Sequence, residues 1–239
     1  MTVKGLTMKR TNSRGFTLIE MAMVLLIMGL LLGGGLAVLS SQIESQKTKE
    51  TQKILEEVKE ALIGFAVSNG RLPRPSTVAL NGIENPVICA SEALCTGLIP
   101  WATLGITKLD GWAKVVRYSV TPAYANAAFT LLTTPTKIVQ TRNSVGATVT
   151  VASQVPAIIF SHGKNNFGTT DTGGAIPNSS TTNLDEIAND TGGGTGLTFC
   201  QRTYSENTAA AFGGEFDDIV IWIPAGILFN RLVQAGRLP

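Results

Sequence analysis

The chain begins with a long apolar segment that one acidic residue interrupts. The 24 residues from Phe16 to Leu39 contain a single ionisable side chain, Glu20. At about 1.5 Å of rise per residue, a helix of this length crosses a hydrocarbon core of about 30 Å. The pattern therefore predicts a transmembrane helix over residues 16–39.

Residues 40–70 continue the helical pattern with an amphipathic character. Apolar residues recur at intervals of three and four, which places them on one face of a helix. This stripe consists of Ile54, Leu55, Val58, Leu62, Phe65 and Ala66. Asn69-Gly70 and Pro73 are stop signals. We expect one helix from Phe16 to Ser68, whose second half packs its stripe on a sheet.

The globular part, residues 71–239, has the pattern of an antiparallel sheet after an irregular region over 71–113. Short β-branched segments separated by turn residues predict the strands. These segments are Val115–Val120, Phe129–Leu132, Ile138–Thr141, Thr148–Ala152, Ala157–Phe160 and Ile219–Ile223. Residues 163–196 are rich in Gly, Thr, Asn and Ser and predict a long surface loop. Pro224 opens a final amphipathic helix. The predicted fold class is α+β, with a long N-terminal helix, transmembrane in its first half, on an antiparallel sheet head.

Charge gives the apolar segment an orientation. Residues 1–15 contain four basic and no acidic side chains, so the positive-inside rule keeps them in the cytoplasm and sends the globular part across the membrane. The apolar run is longer than that of a secretory signal, which favours retention as an anchor. Without residues 1–15 the formal charge changes from +2 to −2, which removes the argument for nucleic-acid binding.

A carboxylate inside a hydrocarbon-length segment is costly, so Glu20 needs a partner charge or a function. The motif around it is Gly15-Phe16-Thr17-Leu18-Ile19-Glu20, which follows the basic leader directly. This block resembles the processing site of type IV prepilins and of the pseudopilins of type II secretion systems. The resemblance implies cleavage between Gly15 and Phe16 by a prepilin peptidase, N-methylation of Phe16, and a role for Glu20 in assembly.

The same resemblance implies a pilin-like lollipop that is anchored in the bacterial inner membrane with its head in the periplasm. Its partners would be the peptidase, other pilins or pseudopilins, an inner-membrane assembly platform, and membrane lipid before assembly. We expect a subunit of a type IV pilus or pilus-like filament, with the large head favouring a minor subunit. A type II secretion pseudopilin and a membrane-anchored binding module that never polymerises are the alternatives.

Several segments of the globular part resemble a group of pilin-like proteins with large heads. These are Gly70-Arg71-Leu72-Pro73, Leu98-Ile99-Pro100-Trp101, Asp110-Gly111-Trp112, Ser161-His162-Gly163-Lys164-Asn165 and Phe216-Asp217-Asp218-Ile219-Val220-Ile221-Trp222. In that group we expect Cys at position 74 and Gly at position 113. This chain has Arg74 and Ala113 instead, and Arg74 removes the usual disulfide partner.

The chain contains three cysteines, and an oxidising compartment permits two of them to form a disulfide. Proximity along the chain favours Cys89 with Cys95. A bridge between Cys95 and Cys200 and a set of buried free thiols are the alternatives.

Acidic residues late in the chain form the one candidate metal site. Oxygen ligands suit Ca²⁺. The resemblance to pseudopilins, some of which use calcium to order a C-terminal loop, suggests such an ion here. The candidates are Asp185, Glu186, Asp190, Asp217 and Asp218. Solvated loop carboxylates are the simpler interpretation, and no other cofactor is expected.

Ser161 and His162 are neighbours, which invites a nucleophile and base interpretation. Adjacent residues of a strand point to opposite faces, so a catalytic hydrogen bond between them is disfavoured. No set of acid, base and nucleophile stands out elsewhere, and we expect a protein that is not an enzyme.

Overall fold

The computed structural model describes residues 15–165 and 167–238, without the side chains of 31–39. The leader residues 1–14 lie outside this description. The chain forms two compact units, Met1–Gln46 and Lys47–Pro239, which are described separately.

A helix, α1, runs from Leu18 to Asn69, close to the predicted bounds. The elements that follow, in chain order, are β1 (Thr96–Leu98), α2 (Trp101–Leu104), β2 (Arg117–Val120), α3 (Pro122–Asn126), β3 (Lys137–Arg142), β4 (Thr148–Val155), β5 (Ala157–Ser161), β6 (Gly168–Thr169), β7 (Ala175–Ile176), α4 (Leu184–Thr191), β8 (Thr198–Cys200), β9 (Ile219–Ile223) and α5 (Ala225–Gln234). The chain is therefore α+β with an N-terminal helix.

None of the helices, over the residues described, is long and apolar enough to cross a membrane. The predicted span, residues 16–39, includes 31–39, and their side chains lie outside the description.

The apolar stripe of α1 forms one side of the main core in the Lys47–Pro239 unit. Leu55, Val58, Leu62 and Ala66 are fully buried, as the spacing predicts. They join Tyr118, Ile159 and Ile223 of the sheet in one cluster. The helix ends where Gly70 takes a left-handed φ of 70°. Glycine reaches this conformation without the steric cost that other residues meet.

Four strands make the larger sheet in the order β1-β2-β5-β9, and every pairing in it is antiparallel. All five residues of β5 are buried because both faces of this strand are covered. Its alternating side chains divide between two clusters: Ile159 faces the core with α1, whereas Ile158 and Phe160 join a second cluster.

That second cluster packs a smaller sheet, β4-β3-β8, on the other face of the larger one. Val139 of β3 and Phe199 of β8 supply its buried side chains. The pairing of β3 with β8 is parallel, so the prediction of an antiparallel sheet is wrong at this position. A short antiparallel hairpin joins β6 to β7.

Two further sequence expectations are corrected. Phe129–Leu132 is not a strand: the Phe129 ring packs on Tyr124 at 4.5 Å, and Thr133 N–H donates to Thr130 O to close a turn. Residues 163–196 are not one long loop, because they contain β6, β7 and the helix α4.

The irregular region after α1 is held by covalent and ionic contacts. Cys89 and Cys95 form a disulfide, and Cys200 is a free, buried thiol. Arg74, which stands where a cysteine was expected, instead donates from Nε to Asn85 O at 2.7 Å. Its backbone N–H also donates to Glu84 at 2.9 Å, so a polar clamp is present where the group would have a disulfide.

Candidate functional site

The first candidate site is the segment that precedes and opens α1. Gly15, Phe16 and Thr17 lie before the helix, and the Phe16 ring is 82% exposed. The peptide bond between Gly15 and Phe16 therefore lies outside regular helix, next to a side chain that makes little contact with its own unit.

Thr17 and Glu20 form a reciprocal cap on the first turn of α1. The Thr17 N–H and hydroxyl both donate to Glu20 Oε2 at 2.8 Å. The Glu20 N–H donates back to Thr17 Oγ1 at 3.3 Å. This is a capping box, in which residues three positions apart satisfy each other's backbone donors at a helix start.

Sequence reasoning missed this local role of Glu20, although the Thr-x-x-Glu spacing before an apolar run is its recognised signal. The cap holds the carboxylate at the N–H of Thr17, which is the residue after Phe16. Cleavage after Gly15 would therefore create a positive amine one residue away from the group that Glu20 already binds.

The second candidate site is a buried charged cluster in the Lys47–Pro239 unit. Four segments meet there: the turn after Leu109, the end of β5, the helix α4 and the residues just before β9. Its buried polar members are Asp110, Ser161, His162, Asn183, Glu186, Asn189 and Asp218.

Asp110 organises one side of this cluster. Its Oδ1 accepts from the N–H groups of Trp112 and Lys114 at 2.9 Å, and its Oδ2 lies 2.5 Å from Ser161 Oγ. The Ser161 hydroxyl is thus bonded to a carboxylate and not to His162. It also accepts from Gly163 N–H at 3.0 Å, so it has a positioning role for this loop.

His162 lies deeper, between two carboxylates. Its Nδ1 is 3.5 Å from Asp218 Oδ1, and its Nε2 is 3.7 Å from Asp190 Oδ1. Burial lowers the pKa of His162 to about 4, with repulsion from Arg117 adding to the effect. The imidazole is therefore neutral near pH 7.

Glu186, Asp217 and Asp218 bring carboxylate oxygens within 4.8 Å of one another. Glu186 accepts from Asp217 N–H at 2.6 Å, from Asn183 Nδ2 at 2.6 Å and from Asn165 Nδ2 at 2.8 Å. Burial is the main cause that raises the pKa of Glu186 to about 9, and the charges of Asp218 and Asp217 add to it. Two buried carboxylates and the half-buried Asp217 in one place need compensating positive charge, which protons, the nearby Lys114 or a bound cation can supply.

The carboxylate oxygens of this trio suit a hard divalent cation such as Ca²⁺, which takes six to eight oxygen ligands. Among the described residues, three buried side-chain oxygens have no hydrogen-bond partner, and two of them, Asp218 Oδ1 and Asn183 Oδ1, lie at the trio. Asn183 lies against the trio because its Nδ2 contacts Glu186. Glu186, Asp217, Asp218 and the Asn183 carbonyl are thus the residues that could hold the ion.

Two of the five predicted ligands, Asp185 and Asp190, are not members of the trio. Asp185 pairs with Arg142 at 2.7 Å and with Arg202 at 2.9 Å, so its charge is already compensated. Asp190 is next to the trio, where its Oδ1 lies 3.7 Å from His162 Nε2 and 3.9 Å from Arg117 Nη1. The sequence suggested one acidic loop, but α4 turns these residues in different directions.

Gly163 allows the loop after β5 to reach the trio. Its φ is 61°, and a Cβ at this position would lie 2.2 Å from Asp217 O. Only glycine permits this approach, which brings Asn165 N–H within 2.7 Å of Asp217 Oδ2.

Comparison with known families locates the recognisable part of the chain at its N-terminus. Residues 10–36 match the family model described as the prokaryotic N-terminal methylation motif. This motif is the hallmark of type IV pilin and pseudopilin precursors, and it contains Gly15, Phe16 and Glu20. The chain therefore carries a prepilin-type N-terminus. No curated protein and no solved structure gives a match.

Proposed function

We propose that the protein is a structural subunit of a type IV pilus or a pilus-like envelope filament. A prepilin peptidase cuts it between Gly15 and Phe16, and Phe16 is N-methylated. The observation that carries this proposal is the match of residues 10–36 to the methylation motif, together with the fixed spacing of Gly15, Phe16 and Glu20.

The chemistry of the segment supports assembly as the purpose of Glu20. Cleavage creates an amine on Phe16, four residues before a carboxylate, in an apolar environment where an unpaired charge costs several kcal/mol. If the pair forms between neighbouring subunits, a subunit displaced by one turn leaves both charges unpaired. The pair then fixes the register of helices in the filament.

In this proposal the apolar segment 16–39, which includes the first part of α1, anchors the precursor in the inner membrane and later lies in the filament core. The unit Lys47–Pro239 is the head, in the periplasm before assembly and on the filament surface afterwards. Other pilins, the peptidase, membrane lipid and an inner-membrane assembly platform are the partners. A head of this size favours a low-copy subunit, because a densely repeated one has less room per copy.

Three variants separate the charge of Glu20 from its cap. Glu20→Gln keeps an oxygen that can accept from Thr17 but removes the charge, whereas Glu20→Ala removes both. Thr17→Ala removes the capping hydroxyl and keeps the charge, at a cost of about 1 kcal/mol. We expect both Glu20 variants to insert normally and to be absent from filaments, and Thr17→Ala to be incorporated.

Incorporation is measured by immunoblotting of sheared filaments against the membrane fraction. Wild-type levels of Glu20→Gln in filaments would contradict the charge-pairing role. Absence of the wild-type chain itself from filaments, with function intact in Glu20→Ala, would favour the alternative of an anchored binding module that never polymerises.

A type II secretion pseudopilin is the second candidate, since the same N-terminal motif serves that class. Deletion of the gene separates the two. Loss of surface filaments supports the pilus assignment, and loss of exoprotein release with filaments intact supports the pseudopilin.

We also propose that the trio of Glu186, Asp217 and Asp218 takes a structural Ca²⁺. A ligand at a hundredfold excess over its Kd stabilises by about 2.7 kcal/mol, which is roughly 5–10 °C in Tm for a chain of this size. We expect Ca²⁺ to raise the Tm of the detergent-solubilised full chain by this amount, and EGTA to reverse it.

Asp218→Asn should abolish this response, whereas the matched change Asp171→Asn, at an exposed residue outside the trio, should keep it. The same Tm in Ca²⁺ and EGTA would show that the trio holds no bound Ca²⁺.

A further inference from the structure

The strand β4 has a free outer edge. It stands at the end of the order β4-β3-β8, and among the residues that the structure describes it pairs only with β3. Asn143 N–H donates to Ala147 O at 3.0 Å, so the backbone of Ala147 faces β3. Since alternate residues of an antiparallel strand face opposite edges, Thr148 and Thr150 turn their N–H and C=O groups outward.

The first part of this edge, residues 148–150, lacks the usual protection against pairing. Natural edge strands carry charges, proline, a bulge or a covering element. From Ala147 to Val155 the chain has no charged residue and no proline. Thr148, Val149, Thr150 and Val151 are all exposed, and the Val149 side chain is 44% exposed. An irregularity in the β3–β4 register follows Thr150, so the regular part of the edge is short.

We infer that β4 pairs with β4 of a second copy of this chain, antiparallel, about a two-fold axis at Val149. This register places Val149 opposite the partner's Val149, and Thr148 opposite the partner's Thr150. It uses only the regular part of the strand, before the irregularity. The pairing involves the Lys47–Pro239 unit and does not depend on N-terminal processing.

The register satisfies the outward groups of both strands. Thr148 and Thr150 each exchange N–H and C=O bonds with the opposite strand, which gives four hydrogen bonds for the pair. Val149 then occupies a non-hydrogen-bonded position, where Cα atoms are only about 4.5 Å apart and side chains meet closely. Valine therefore contacts valine, threonine contacts threonine, and no like charges face each other across the pair. A two-fold axis makes the contact closed, so it ends at two copies.

Cysteine cross-linking reads the register directly. In the full chain in detergent, Val149→Cys places one cysteine of each copy opposite the other, with about 4.5 Å between their Cα atoms. A disulfide spans this distance. Val151→Cys is the matched control, at 46% exposure in the same strand. In this register the substituted positions of the two copies are offset by four residues at about 3.4 Å each, so their Cα atoms lie roughly 13 Å apart. No disulfide spans that distance. The native cysteines add no background, because Cys89 and Cys95 are bridged and Cys200 is buried.

We expect a dimer band for Val149→Cys on non-reducing gels after mild oxidation, and none for Val151→Cys. Association through the N-terminal helix would not distinguish these two positions. Equal bands for both variants, or no band for Val149→Cys, would overturn the inference.

A charge at the axis supplies an independent test. Val149→Lys places two ammonium groups opposite each other, whereas Val145→Lys adds the same charge in the hairpin turn, where Val145 is 76% exposed. Val145→Lys combined with Val149→Cys in the same chain should retain the cross-linked band. Light scattering of the single variants should show loss of the dimer for Val149→Lys only. A dimer that persists in Val149→Lys would contradict the pairing.

Discussion

Ala113 adopts a backbone conformation that glycine would adopt at a lower energetic cost. It has a φ of 61°, which is the left-handed region, in the turn where Asp110 accepts from the backbone N–H groups of Trp112 and Lys114. The carboxylate bonds of Asp110 hold the turn in this conformation in spite of the cost. The resemblance to large-headed pilin-like proteins implied glycine at this position, and the φ angle gives the physical reason for it.

Ala113→Gly is therefore expected to stabilise the fold. A non-glycine residue in the left-handed region costs about 1–2 kcal/mol, and part of the gain is offset by the greater freedom of glycine in the unfolded chain. We expect the free energy of unfolding to rise by about 1 kcal/mol. Urea denaturation measures it, with Ala235→Gly as a control at negative φ. A loss of stability in Ala113→Gly would contradict the account of this turn.

Residue chemistry was predictable where a short spacing encodes it. The motif from Gly15 to Glu20 is local, and the Cys89 and Cys95 pair is close along the chain. The bond between Ser161 and Asp110 joins residues 51 positions apart, and only the fold brings them together. The full burial of Lys137 has the same origin, since no pattern in the sequence marks it as an interior lysine.

Among the elements, β3 carries an unusual anchor. Lys137 is fully buried, and its Nζ lies 2.7 Å from Glu92 Oε2 and 2.6 Å from Gly196 O. The side chain thus ties β3 to the loop that contains the disulfide and to the turn before β8. Burial lowers the pKa of Lys137, and the Glu92 carboxylate acts against that shift.

Lys137→Met should destabilise the fold, because it leaves Glu92 partly buried without its cation. Breaking one side of such a pair costs about 3–5 kcal/mol, and replacing both charges with apolar residues is often neutral. We expect Lys137→Met to lower the free energy of unfolding by about 3 kcal/mol, and Lys137→Met with Glu92→Leu to recover most of that loss. Chemical denaturation tests both, and a single variant as stable as the wild type would show that the pair has no such role.

The regular elements followed from periodicity more reliably than the irregular ones. The stripe of α1 and the strand Ile219–Ile223 match the predicted positions because both contribute strongly patterned faces to the core. The helix α4 was missed because residues 163–196 have the composition of a loop, and the parallel strand β8 was missed because its three residues are too few to show a pattern. There, Asp185 and Glu186 are buried by contacts with distant arginine and asparagine side chains, which local pattern does not report.

At the scale of the whole molecule, the N-terminal segment and the Lys47–Pro239 unit give different kinds of information. The segment matches a family motif, and its chemistry indicates processing and assembly. The Lys47–Pro239 unit contains two packed sheets, a buried charged cluster and an unprotected strand edge. These features constrain how this unit is stabilised and what it contacts, and they are independent of the motif.

We propose that the protein is a precursor whose Glu20 acquires its partner charge on cleavage. Mass spectrometry of the N-terminus, on protein purified from cells that contain a prepilin peptidase, tests this proposal. We expect a chain that begins with N-methylated Phe16. An intact Met1, or an N-terminus created by a cut after Leu39, would contradict it.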